Sequence, residues 1–213
     1  MEKRNKRILM SVLGVVICGI SVGFFKRATF GVDPFQSFMS GLDTMIPIDF
    51  GTLYVIANVC LLLFSIINDR SKIGIATVIN LLFTGYIADF SHQFLNNMFP
   101  ALGMTGRIIM LVIGIVVMCF SSAFYFTANL GVSTYDAVAL VISEKWNPAP
   151  FRFCRIACDL VCVITGVILF LCAGQPISNI GAVVGVGTIV TAFFMGPLID
   201  FFNVRVAQPF LNK

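Results

Sequence analysis

The chain has 213 residues, of which 58% are hydrophobic and only 11% charged, with a mean hydropathy of +0.97 and a net charge of +4. That composition excludes a soluble globule, because too few polar side chains are present to cover a water-facing surface. The basic residues stand at the ends of apolar runs, where membrane topology uses them, so the charge is no nucleic-acid signal and no nucleic-acid partner is expected.

The first apolar run, about 8–26, follows the basic start "MEKRNKR". It has the outline of a signal peptide, but Ile17 before Cys18 is a poor lipoprotein site, and the same run recurs in mid-chain, so it reads as a spanning helix. Next comes "ATFGVDPFQSF", residues 28–38. Gly31 suits the left-handed step that ends a helix, Asp33 is an N-cap, Pro34 fits the first helical position and Gln36 completes a capping box. A short amphipathic helix over 33–44 follows, with Phe35, Phe38, Met39, Leu42 and Ile46 on one face. As a helix it covers only ~18 Å, well short of the ~30 Å of hydrocarbon. Runs at about 51–67 and 73–91 complete the first half. After the junction "PALGMTG" (100–106) the order repeats: 107–127, a short helix over 133–144, then 152–172 and 180–202. Continuous apolar runs of this length are helices; a barrel would alternate.

The two halves are copies. Residues 7–36 set over 107–136 without a gap share eleven of thirty positions, among them Arg7/Arg107, Ser21/Ser121 and Gly31/Gly131. At an offset of 111, "GIATVINLLFTGYIADF" (74–90) matches "GVGTIVTAFFMGPLIDF" (185–201), with Thr77/Thr188, Gly85/Gly196 and Asp89/Asp200 coinciding. The reading is therefore an all-α membrane protein with six transmembrane helices in two inverted-topology repeats of three, 1–100 and 107–213, each carrying an extra short helix. With both termini cytoplasmic, eleven Lys and Arg fall inside and three (Lys26, Arg27, Arg107) outside, as the positive-inside rule asks. Parallel repeats in which the short segments cross give ten against four, so helix length, not charge, decides for inversion.

Each short helix has two readings: an interfacial helix lying flat, or a re-entrant half-helix whose N-terminal N–H groups face a cavity. Under the second, Asp33 and Gln36 with Ser133, Thr134, Tyr135 and Asp136 line a solute site, and Asn80 faces the same polar pathway. Acids at both caps weigh against a strongly anionic solute. Asp89 and Asp200 end their helices where the macrodipole disfavours a carboxylate, so they are either paired gates or proton-coupling groups, or carboxylates wetted at the headgroup level. Cys154, Cys158 and Cys162 stack along one helix face; packing is the simpler role, and no metal or other cofactor is expected. An odd count of seven scattered cysteines argues for free thiols. Arg155 and Asp159, at i and i+4, pair. No catalytic constellation is present, so an enzyme is not expected.

The carriers "ATFGVDPFQ", "ANLGVSTYD" and "GPLIDF" resemble the YczE/YitT-type family of bacterial integral membrane proteins, over nearly the full chain. The resemblance implies a multi-pass protein of the bacterial cytoplasmic membrane, for which transport has been guessed. The function expected is movement of a small polar solute between the repeats by alternating access, with the lipid bilayer as surroundings; a homo-oligomer is compatible but not indicated. The alternative is a non-transporting accessory or sensory subunit.

Overall fold

The computed structural model describes residues 2–149 and 151–212, and among these every regular element is a helix. In chain order they are α1 (Glu2–Ala28), α2 (Pro34–Met45), α3 (Phe50–Asn68), α4 (Ile75–Met98), α5 (Met104–Ala128), α6 (Thr134–Val141, extended by a wide turn over Ile142–Trp146), α7 (Phe151–Cys172), α8 (Ile180–Val183), α9 (Val186–Phe202) and α10 (Gln208–Asn212). Lys213, counted on the cytoplasmic side above, lies outside the described residues.

Five segments among the described residues are long and apolar enough to cross a membrane: Arg4–Ala28, Phe50–Asn68, Met104–Ala128, Phe153–Cys172 and Ile177–Met195. Large apolar side chains stand on the outside, as in Ile67, Phe90 and Phe193. This is a membrane protein, with lipid rather than water as its outer solvent. The expected span 73–91 falls in α4, which is a helix of sufficient length but is not among these five, because it carries Asn80, Asp89, His92 and Gln93 and lacks the apolarity of the others. The last segment is broken between α8 and α9, where Gly185 is extended.

Helices α1 and α5 pack antiparallel along small residues. A Cβ on Gly14 would lie 2.8 Å from Tyr125 Cβ, and one on Gly114 would lie 3.3 Å from Phe24 Cβ. Ser21 Oγ donates to Met118 Sδ at 3.3 Å between these two contacts. Helix α4 runs parallel to α1, with Gly19 against Ile87 and Gly23 against Ser91. Helix α9 runs parallel to α5, with Gly187 against Leu111 and Asn203, just beyond its end, bonded to Thr127 at 2.9 Å. The short helices are exchanged between the halves. Gly41 of α2 meets Gly166 of α7, while Thr134 of α6 donates to Asn58 of α3, and Trp146 packs edge-on against Phe64.

The linkers before the short helices are clamped from the other half. Residues 30–32 lie on the start of α9, with Gly187 N donating to Phe30 O at 2.7 Å; residues 130–132 lie on the start of α4, with Ala76 N donating to Leu130 O at 3.0 Å. Gly31 (φ 89°) and Gly131 (φ 109°) have positive φ, but the helix-ending left-handed step predicted for Gly31 is taken two residues earlier, by Thr29 (φ 57°) and Asn129 (φ 50°). The glycines are needed instead because Gly185 and Gly74 occupy the space of a Cβ. Thr77, fully buried, donates to Val132 O at 2.6 Å and accepts from Gly74 N at 3.2 Å. Thr77→Val keeps the shape and strands both partners, so denaturant unfolding in detergent should report a loss of about 1–3 kcal/mol.

Candidate functional site

The first turns of α2 and α6 meet head to head. Phe35 and Tyr135, the same position in the two copies, stack with ring centroids 5.1 Å apart and planes at 24°. Tyr54 packs edge-on to Phe35 at 5.7 Å, and the Arg155 guanidinium lies 4.4 Å over the Tyr135 ring. Setting "FGTLYVIAN" (50–58) over "FRFCRIACD" (151–159) aligns Tyr54 with Arg155 and Asn58 with Asp159. Aligned positions thus flank the ring pair with different chemistry: Tyr54 and Asn58 are neutral, Arg155 and Asp159 carry ionisable groups that pair.

Local capping holds both turns in place. Asp33 Oδ1 accepts from Gln36 N at 3.2 Å, and Ser133 Oγ accepts from Asp136 N at 3.0 Å. The predicted capping box does not close in the first copy, because the Gln36 side chain is buried with its Oε1 unpartnered. In the second copy the carboxylate at that position is fully engaged. Asp136 accepts from Ser133 Oγ at 2.6 Å, from Tyr125 Oη at 2.9 Å and from Arg155, whose Nε donates onward to Asp159 at 3.2 Å. Tyr135 Oη donates to Asp159 at 2.6 Å, the short distance of a bond to an ionised acceptor. The carboxylate side chains are only 14% and 12% exposed, so Arg155 is what keeps two charges in a dry place.

Six of the expected site residues, Asp33, Gln36, Ser133, Thr134, Tyr135 and Asp136, come together at this junction. Asn80 is buried on α4 with its Oδ1 unpartnered. Asp89 and Asp200 lie elsewhere: Asp89 is half-buried, bonded to Gln93 at 3.1 Å and close to Lys26 and His92, while Asp200 is exposed. The Arg155–Asp159 pair forms as expected. Asn58, a polar residue at membrane depth, makes the interhelical hydrogen bond expected of such residues, to Thr134. The link of Arg155 to Asp136 and the part played by Tyr125 have no local signal, and the alignment of 50–58 with 151–159 is what would have given the place of Arg155.

Beside the stacked rings lies a cavity of 610 Å³ between α2, α3, α6 and α7. Its wall includes Phe35, Phe38, Tyr135, Phe153 and the thiols of Cys158 and Cys162, so the cysteine stripe faces this space. The wall is apolar; the cap carboxylates that the sequence offers to a polar solute do not form it.

The chain is 27% identical over 192 residues to the "Uncharacterized membrane protein YczE" of Bacillus subtilis, covering 88% of this chain and 81% of that one. It is 23% identical over 201 residues to "Uncharacterized protein YyaS" of the same organism, covering 94% of each. A protein of Haemophilus influenzae is 22% identical over 204 residues, covering 95% of this chain and 86% of its own. No solved structure matches. A family model described as "Family of unknown function (DUF6198)" matches residues 5–204, almost the whole chain, so the protein belongs to the DUF6198 family.

Proposed function

We propose that this protein is a transporter of the bacterial cytoplasmic membrane, built from two inverted repeats of three spanning helices and one re-entrant half-helix, and working by alternating access. One observation carries the reading. The contacts of Gly14 with Tyr125 and of Gly114 with Phe24 and Phe25 are related by the 100-residue repeat, and they join antiparallel helices. That is what a two-fold axis in the membrane plane produces.

Direction counts support the number of crossings. Because α1 and α4 run parallel, the chain crosses back once between them; α3 does so, and α2 therefore does not cross. The contact pairs put the α1–α5 crossing near residues 19–20 and 119–120. Ala28 then stands about 13 Å along α1 from that level. Residues 29–33, extended at about 3.3 Å each, reach back far enough to set Phe35 on the axis against Tyr135. Both half-helices thus begin near the midplane and run outward in opposite senses, with both termini of the chain cytoplasmic. Inverted-repeat transporters place solute sites at such half-helix ends. Asp89 and Asp200 would then be repeat-related carboxylates near opposite faces.

The test is a pair of distances in lipid nanodiscs. Spin labels at Asp43 and Asp89 report one end of the fold, and labels at Asn68 and Glu144 report the other. Alternating access expects two-component distance distributions at both ends, with weights that shift in opposite directions as conditions vary. A single narrow distance at each end would remove transport and leave the static accessory subunit.

A further inference from the structure

We propose that the 610 Å³ cavity is a binding site for a lipophilic organic cation, a hydrophobic body carrying a delocalised or quaternary positive charge. The proposal rests on the transport reading only in naming that cation as the cargo.

The size is that of a site for a drug-sized molecule, and the apolar wall suits the body of one. The sign of the charge follows from what surrounds the cavity. Four aromatic residues, Phe35, Phe38, Tyr135 and Phe153, contribute to the wall, and ring faces attract cations. Behind Tyr135 stand Asp136 and Asp159, and Asp33 lies within electrostatic reach of Arg155 and Asp159. Among the described residues, the junction sets one guanidinium and two helix N-termini of roughly half a charge each against these three carboxylates, leaving an excess of up to about one negative charge. In low dielectric that excess is felt over the width of a cavity. The buried, unpartnered Oε1 of Gln36, beside Phe35, adds an acceptor and no positive charge. An anion of the same shape is repelled by that field, and a neutral lipid chain draws nothing from it.

The experiment measures equilibrium binding of radiolabelled tetraphenylphosphonium to the full-length protein in nanodiscs, with empty nanodiscs subtracted and tetraphenylborate, its anionic counterpart of similar shape, run in parallel. The single tryptophan, Trp146, adjoins the cavity residues Ile142 and Pro148, so its emission gives a second readout. Expected are saturable binding of the cation, no saturable binding of the borate, and a change in Trp146 emission that saturates with the cation. Cys162→Phe fills the cavity and should abolish binding. Phe38→Leu keeps the wall apolar and removes one ring, and should weaken the cation roughly three- to tenfold. If Cys162→Phe fails to fold, Phe38→Leu decides. Equal saturable binding of borate and phosphonium overturns the proposal in favour of an unselective apolar groove. Absence of saturable cation binding overturns it too, leaving the groove to lipid chains or a second copy. Neither result touches the spin-label distances, so a moving protein without this site, and a static protein with it, are told apart.

Discussion

Arg155→Met should destabilise the protein by about 3 kcal/mol, the largest loss expected from any single side chain at the junction. Arg155 contacts both Asp136 and Asp159, whose side chains are 14% and 12% exposed. Removing one partner of a buried ion pair costs about 3–5 kcal/mol, because the remaining charge must be desolvated alone or take up a proton. The lower end applies here, since the Arg155 side chain is itself 31% exposed and water screens part of the attraction. Methionine keeps most of the length and apolar contact over Tyr135, so the loss reports charge rather than packing. The compensated variant Arg155→Met with Asp136→Asn and Asp159→Asn should recover stability to within about 1 kcal/mol of the parent, since neutral amides still accept from Tyr125 and Tyr135. Reversible denaturant unfolding in detergent gives all the differences, and their non-additivity is the coupling energy of the triad. A single-variant loss below 1 kcal/mol would mean that the carboxylates are hydrated and the network contributes little.

That network also marks where the sequence stops being legible. The caps at Asp33 and Ser133 and the Arg155–Asp159 pair are set by chemistry within four residues, and each is found in its predicted place. Of the six apolar runs, five correspond to segments long and apolar enough to span, while 73–91 forms a more polar helix and the last run is broken at Gly185. Contacts across the chain were not legible. Nothing local says that α2 lies on α7 of the other half, because Gly41 and Gly166 are ordinary helix glycines until their backbones touch. Nor does Arg155 announce a second partner 19 residues away. Gln36 differs from expectation for a related reason: its spacing fits a capping box, but tertiary packing buries the side chain and leaves its Oε1 without the backbone N–H it would serve. Thr29 shows the same override, a β-branched residue held at φ 57° where glycine was available two positions later. The cavity was the least visible feature, since its aromatic and cysteine wall comes from four helices, each of which supplies a few apolar letters indistinguishable from packing.

Repeat-related glycines offer the second large effect and a check on how closely the two clamps are matched. Gly74 and Gly185 both have extended backbone, with φ −147° and −156°, which any residue adopts. Conformational strain therefore contributes little to a substitution there, and the cost comes from close approach. At Gly74 an added Cβ falls on the carbonyl of Leu130, and at Gly185 on the carbonyl of Phe30. Neither carbonyl can turn aside, because each already accepts a backbone N–H, from Ala76 at 3.0 Å and from Gly187 at 2.7 Å. Gly74→Ala and Gly185→Ala should each destabilise by about 2–3 kcal/mol, near the top of the range for overpacking, because backbone must separate from backbone rather than a side chain repack. Gly103→Ala and Gly181→Ala, where a Cβ meets nothing within 4 Å, should stay within about 0.5 kcal/mol. Thermal unfolding of the four variants in one detergent makes the comparison. Similar losses at 74 and 185 would mean that the two halves clamp one another equally. A loss at one site alone would mean that one linker is held and the other is free to move.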